Sequence, residues 1–345
     1  MTTQVAHTVL ASVDDYLGPG DRRFFGRGFR RVQYDLSHIR VARTPDGVAG
    51  ARAVVRVRYP SDWSRKAVGD LRPHFSTVDG LVLAAQLAEL CLTDRRGDDL
   101  REAWLRKVRI TAGNRPQEDL DRLEAIATCR RQEPLDGAPG WSVSVIDCSI
   151  GTMRVRCELV HPSGSPREGR WQYANPAEVL GPAADRYYDH GFTTRRQLVR
   201  DVTVDQAALT ATARLGIEQE EPASPTPRGL ETAYGPSVTM VDAFVTALQL
   251  AQVMLYEMDG VRRQDSDTLW MRQTVLSAAT AHRPFDGGVP VTTALAEPDL
   301  LRLNGDTWRT MTVAAEMAGI ELRSAVTHRL PADHSLTAEP GAVTR

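Results

Sequence analysis

Two stretches, residues 76–92 and 239–258, are apolar on nearly every face at helical spacing, and both sit among runs in which apolar and polar positions alternate. A helix with so little polar surface has to be enclosed. Alternation of period two marks half-buried strands, and it appears at residues 53–59 before the first helix. It returns after that helix at 104–112, 123–130, 141–149 and 153–161. The second helix is preceded by alternation over 202–217 and followed by it at 269–278, 289–295, 308–315 and 320–328. One long helix with five or so strands, twice over, predicts an α+β chain in which each half wraps a curved antiparallel sheet round a central helix. That is the hotdog architecture, and two copies in tandem make a double hotdog.

The halves are also related residue by residue. At an offset of 163, residues 17–29 fall on residues 180–192 without gaps, matching at Leu17/Leu180, Pro19/Pro182, Arg23/Arg186 and Phe29/Phe192. Residues 77–90 fall on 240–253 with seven identities in fourteen, against the roughly one that background composition supplies. Small insertions move the offset to 166, where Trp104 meets Trp270 and Arg106 meets Arg272, and then to 167, where Met153 to His161 meets Ile320 to His328. The expected organisation is a first hotdog domain over 1–165, a Pro-, Gly- and Ser-rich linker over 166–176, a second hotdog domain over 177–331 and a frayed tail over 332–345.

Composition narrows the function classes. With 42 Lys+Arg against 44 Asp+Glu, the 345-residue chain has no surplus of positive charge for wrapping a nucleic acid. No run approaches the roughly 20 apolar residues of a membrane span, and the start lacks a basic-then-apolar leader pattern, so a cytoplasmic protein is expected. Cys91, Cys129, Cys148 and Cys157 show no paired spacing and read as small core residues. Motifs for serine hydrolases, P-loops, zincins and dithiol redox centres are absent, so neither metal nor cofactor is expected.

The candidate chemistry lies in the helices. Asp79 and Gln86 are seven residues apart, nearly two turns, and so share a helix face; Asp242 and Gln249 repeat the arrangement. A buried carboxylate kept through an internal duplication is informative, because it is costly unless hydrogen-bonded. Ser76 with Asp79, and Thr239 with Asp242, equally have the form of a capping box, which would employ each aspartate structurally. The helix start also favours developing negative charge, such as a thioester oxygen. His74 lies just ahead of the first helix, whereas its counterpart is Ser237, an asymmetry that one working site between two halves would leave. Trp104 and Trp270 read as core residues or as lining of an acyl tunnel. Arg106 and Arg272 read as sheet rim, or as contacts to a phosphate or an acidic carrier.

The segments SVDDYLGPGDRRFFGRGFRRVQY, YPSDWSRK, PHFSTVDGLVLAAQLAE and WLRKVRITAG resemble the avirulence protein D (AvrD) family. That family is associated with syringolides, acylated sugar-derived lactone signals, so the resemblance implies joining a β-ketoacyl thioester to a ketose. The helix segment is also similar to the HP-x-L-L-D stretch of double-hotdog polyketide dehydratases, and the plan resembles the hotdog proteins of A-factor (γ-butyrolactone) biosynthesis. Where the dehydratases carry glutamine or histidine four residues after the aspartate, this chain has Leu83 and Thr246, which favours transfer over dehydration. The expectation is an acyltransferase without a covalent nucleophile. Asp79 or Asp242, with His74, takes the hydroxyl proton, and Gln86, Gln249, Trp104, Trp270, Arg106 and Arg272 meet the substrates. These are an acyl thioester, on a carrier protein or coenzyme A, and a sugar-derived or polyol acceptor. A hotdog dehydratase or thioesterase, or a non-catalytic acyl-ligand binder, is the alternative; oligomeric state is left open.

Overall fold

The computed structural model describes residues 7–44, 49–63, 72–93, 100–164, 168–266, 269–303 and 305–331; the expected tail at 332–345 lies outside them. The first copy contains β1 (His7–Ser12), α1 (Asp14–Leu17), β2 (Gln33–Arg43), β3 (Ala49–Arg58), α2 (Thr77–Leu92), β4 (Trp104–Thr111), β5 (Leu123–Pro134), β6 (Trp141–Ile150) and β7 (Met153–Pro162). The second repeats that order with β8 (Gly169–Tyr173), α3 (Ala177–Leu180), β9 (Arg195–Asp205), β10 (Thr210–Gln219), α4 (Met240–Asp259), β11 (Trp270–Ala278), β12 (Val289–Leu303), β13 (Asp306–Met317) and β14 (Ile320–Arg329). Every residue of α2 from Thr77 to Cys91 is buried, as a helix wrapped by its sheet must be. The chain is a double hotdog.

The fourteen strands among the described residues form one antiparallel sheet in the order β1-β9-β10-β12-β13-β14-β11-β4-β7-β6-β5-β3-β2-β8. The order is a palindrome of the two copies, joined at the β4–β11 pair, where Lys107 faces Ser277 and Thr111 faces Gln273. Its outer ends are exchanged. β1 pairs with β9 of the second copy, and β8, inside the expected linker, pairs with β2 of the first. Each copy therefore completes the other's sheet edge and removes an exposed row of backbone donors and acceptors. The segment after each exchanged strand follows it across: Phe25 packs edge-on against Phe244 at 5.9 Å, and Gln86 donates to the Tyr188 carbonyl at 2.7 Å. A second copy expressed alone would have to supply β8 to the β9 edge of another molecule. It is expected to run as a dimer in light scattering, and a well-folded monomer would contradict this arrangement.

The alternation expected over 202–217 belongs to two strands, and 33–43, unassigned from sequence, is a third. The reason is a bulge kept in both copies. His38 (φ 54°) and Asp201 (φ 52°) put one extra residue into β2 and β9. The buried positions Leu36 and Ile39, and likewise Val199 and Val202, are thereby three apart rather than two, which hides the period. The helix starts agree with the capping pattern, with Ser76 and Thr239 as N-caps. The four cysteines are free and buried. Strand-end histidines are structural: His161 bonds Ser144 at 2.8 Å, and His328 joins Arg309 in holding the buried Asp259 at the end of α4.

Candidate active site

Both helix aspartates are engaged by donors on every side. The Asp79 carboxylate accepts from the Ser76 amide (2.7 Å), from the Tyr34 hydroxyl (2.7 Å) and from the Tyr59 hydroxyl, while the Ser76 hydroxyl accepts from the Asp79 amide (3.2 Å). Burial pushes this carboxyl above the ordinary carboxylate range, and the hydrogen bonds from Tyr59, Ser76 and Tyr34 pull it back. Burial and the neighbouring Asp79 raise both tyrosines well above their usual range, so they remain donors. Asp242 is held by the Thr239 amide (2.9 Å), the Gln197 amide group (2.7 Å) and an ion pair with Arg195 (3.0 Å). Both carboxylates are fully buried. The capping alternative accounts for the bonds each aspartate makes, and neither Asp79 nor Asp242 is among the residues that wall the cavity beside α2.

An opening does lie directly beside α2. A cavity of about 100 Å³ sits between the copies, walled by Phe24, Phe25, Trp63, the stretch from His74 to Thr77, Gln117, Met153, and Trp270 of the second copy. Its floor is the N-terminus of α2. Ser76 caps the Asp79 amide and the Gly80 amide reaches the Ser76 carbonyl, which leaves the amides of Thr77 and Val78 with no intrahelical acceptor. His74 is half-buried at the rim, between Trp63 (edge-on, 5.7 Å) and Trp270 (stacked, 6.3 Å). Burial lowers its pKa below 6.5, against an opposing hydrogen bond to the Arg72 backbone. A ring N–H committed to a backbone carbonyl leaves the other nitrogen bare, which is the form of a general base. Asp79 reaches this histidine indirectly, because the Tyr59 hydroxyl that donates to Asp79 also contacts the His74 carbonyl at 3.0 Å.

The remaining sequence candidates divide. Trp270 is in the cavity wall; Trp104 is buried in the hydrophobic core instead. Gln86 and Gln249 are tethers between copies, Gln249 accepting from the buried guanidinium of Arg23 at 2.8 Å, so neither is free for substrate. Arg106 pairs with Glu158 at 3.1 Å, and Arg272 is exposed on β11 outside the cavity wall. Trp63 went unread in the sequence, although the asymmetry that singles out His74 applies to it: its counterpart at offset 163 is Thr226.

The matching place in the second copy is filled. Gln117, whose carbonyl accepts from Phe75, corresponds to Arg283, whose carbonyl accepts from Val238. Arg283 lies 2% exposed, with its guanidinium on the Val238 carbonyl (2.6 Å) and on Glu231 (3.2 Å), and its amide on Ser237, the counterpart of His74. Tyr188 closes the far side by donating to Glu231 at 3.0 Å. Among the described residues no group of three or more His, Cys, Asp or Glu is placed to hold a metal ion, and no helix is long and apolar enough to cross a membrane.

Fold and site together define a double-hotdog protein with one open helix-start cavity. The chain matches the family described as Pseudomonas avirulence D protein (AvrD) over residues 7–331 and belongs to it. No curated protein matches the chain. Among solved structures, a conserved hypothetical double-hotdog protein from Mycobacterium tuberculosis is 12% identical, with a TM-score of 0.42, over 75% of this chain and 82% of that one. The dehydratase domain of the CurJ module of curacin polyketide synthase is 8% identical, with a TM-score of 0.37, over 84% and 95%. A 12:0-ACP thioesterase from Umbellularia californica is 12% identical, with a TM-score of 0.37, over 81% and 94%.

Proposed function

We propose that the protein is an acyltransferase that joins a β-ketoacyl thioester to a hydroxyl of a ketose or triose-type acceptor, leading to a butenolide or γ-butyrolactone of the syringolide type. One observation carries the reading: a neutral, partly buried imidazole and a helix N-terminus with uncommitted amides face one cavity between the copies. His74 takes the acceptor's hydroxyl proton as that oxygen attacks the thioester carbonyl. The oxyanion lies against the start of α2 at the Thr77 amide, where the helix dipole and a fixed donor favour charge without reorganisation. Collapse breaks the C–S bond, and the imidazolium returns its proton to the departing thiolate. The same base can then remove a proton from the carbon between the two carbonyls of the ester; that carbon attacks the ketose carbonyl and closes the ring, the imidazolium protonates the new alkoxide, and loss of that hydroxyl as water gives the butenolide. Trp63, Trp270 and the Phe24–Phe25 pair exclude water, which favours transfer over hydrolysis.

Incubating the protein with a β-ketoacyl thioester and candidate ketoses or triose phosphates should yield acceptor-dependent ester or lactone by mass spectrometry. Free acid formed at the same rate with any acceptor would instead make it a thioesterase, and an unsaturated thioester a dehydratase. The reading also has a pH signature. Because burial holds His74 below 6.5, kcat/KM should stay level from neutral pH down to that value and fall only at lower pH. An acid limb centred above 6.5 would exclude His74 as the base.

A further inference from the structure

The outer face of the first copy's sheet carries a group of cations next to the cavity. Lys107 and Arg109 on β4, Arg154 and Arg156 on β7, and Arg130 on β5 are all exposed on that side. In the antiparallel register Arg109 stands directly opposite Arg156, a like-charge cross-strand pair that costs stability. Asp147 neutralises Arg156 (2.6 Å) and also bonds Arg130 (3.2 Å), so the charge left over is that of Lys107, Arg109 and Arg154. Arg109 has no ion pair among the described residues. The second copy is an internal control. Its register places Val275 opposite Arg323 and Ala314 on the other side of Arg323, and Glu321 stands where the first copy has Arg154. The cluster thus accompanies the copy whose helix start is open, and in the copy whose site is filled Arg323 stands without the cations that flank Arg156, with Val275 in place of Arg109 and Glu321 in place of Arg154. They also adjoin the rim: Thr111 and Arg154 are chain neighbours of Ala112 and Met153, which line the cavity together with Gly113, Arg115 and Thr152.

We propose that this face docks the acidic surface of a carrier protein that delivers the acyl thioester, its phosphopantetheine arm crossing the rim between Gly113 and Thr152. The inference rests on the acyl-transfer reading above and adds the partner and its place. From β4 to β5 the cations span three strand spacings, roughly 14 Å, on an open face. That breadth suits a protein surface. The groove there is lined by arginines, threonines, Ser149, Asp147 and Ile126, with no aromatic ring on which a purine could lie, so a coenzyme A nucleotide is the poorer fit.

The test separates docking from chemistry. Binding of purified holo-acyl carrier protein of bacterial fatty acid synthesis, bearing no acyl chain, is measured by calorimetry at low and high salt, and KM is measured for carrier-borne and N-acetylcysteamine thioesters. Wild type should bind the carrier in a salt-sensitive manner. Arg109→Glu and Arg154→Glu should each weaken carrier binding and raise the carrier-thioester KM by roughly tenfold, leaving the N-acetylcysteamine KM within about twofold. Arg109→Glu should melt no lower than wild type, since it turns the pair with Arg156 attractive. Unchanged carrier affinity in both variants, or no carrier binding by wild type, overturns the proposal. So does an equal loss with coenzyme A thioesters, which would mark a nucleotide phosphate site. Carrier binding on this face without transfer to any acceptor would overturn the chemistry and leave the docking intact; turnover of N-acetylcysteamine thioesters without carrier binding would do the reverse.

Discussion

Replacing His74 with alanine is expected to slow acyl transfer by roughly 10²–10⁴-fold, the usual contribution of a positioned general base, while the protein keeps its secondary structure and melts within a few degrees of wild type. The small structural cost follows from the place of the ring. It stands at a cavity rim, half-exposed, and its loss removes aromatic contacts with Trp63 and Trp270 without opening a sealed core. His74→Gln should be equally slow, because an amide cannot accept the proton, and added imidazole should restore part of the rate to the alanine variant. An alanine variant that transfers at the wild-type rate would remove His74 from the chemistry. Protonation adds a second readout. The folded state holds the His74 proton more weakly than the unfolded chain does, so this group costs stability as pH falls through 6.5 toward its lowered value. That loss should be absent from the alanine variant.

Asp79→Ala should destabilise the protein by about 3–5 kcal/mol, a large fraction of the roughly 5–15 kcal/mol that holds a typical protein folded. Three donors, the Ser76 amide and the Tyr34 and Tyr59 hydroxyls, would be left in a fully buried site without their acceptor. The start of α2 would lose the carboxylate half of its capping box as well. Asp79→Asn keeps one oxygen acceptor, so it should cost less and fold. Its activity should fall mainly through kcat, because Tyr59 links Asp79 to the His74 carbonyl and so sets where the imidazole stands. Denaturant melts of both variants beside their turnover check the point. An Asp79→Asn enzyme with a normal fold, normal kcat and a normal pH profile would show that this carboxylate only caps the helix.

The duplication, the two enclosed helices and their caps were legible in the sequence because each is written in local pattern: unbroken apolar faces, an S/T-x-x-D start, and identities at a constant offset. The exchanged strands were not. His7 to Ser12 and Gly169 to Tyr173 are short edge strands, and nothing in their residues says whether they pair with their own copy or the other. Among the site residues, His74 and Trp270 could be found from sequence, and the first stood out because its counterpart differs. The glutamines misled for the opposite reason. They are identical in both copies because both copies need the same tether to the neighbouring segment, where Arg23 meets Gln249 and Gln86 meets the Tyr188 carbonyl. The kept glutamines mark the seam, and the histidine that has no matching counterpart marks the cavity.

The reciprocal exchange of β1 and β8 has a historical reading. Two identical subunits that traded their first strands would give this same palindrome, with two equivalent helix-start sites related by a twofold axis. Fusion of such subunits into one polypeptide would end the obligation to keep the two sites alike. One copy now holds an imidazole and a face of cations, and the other a strut of Arg283 and Glu231.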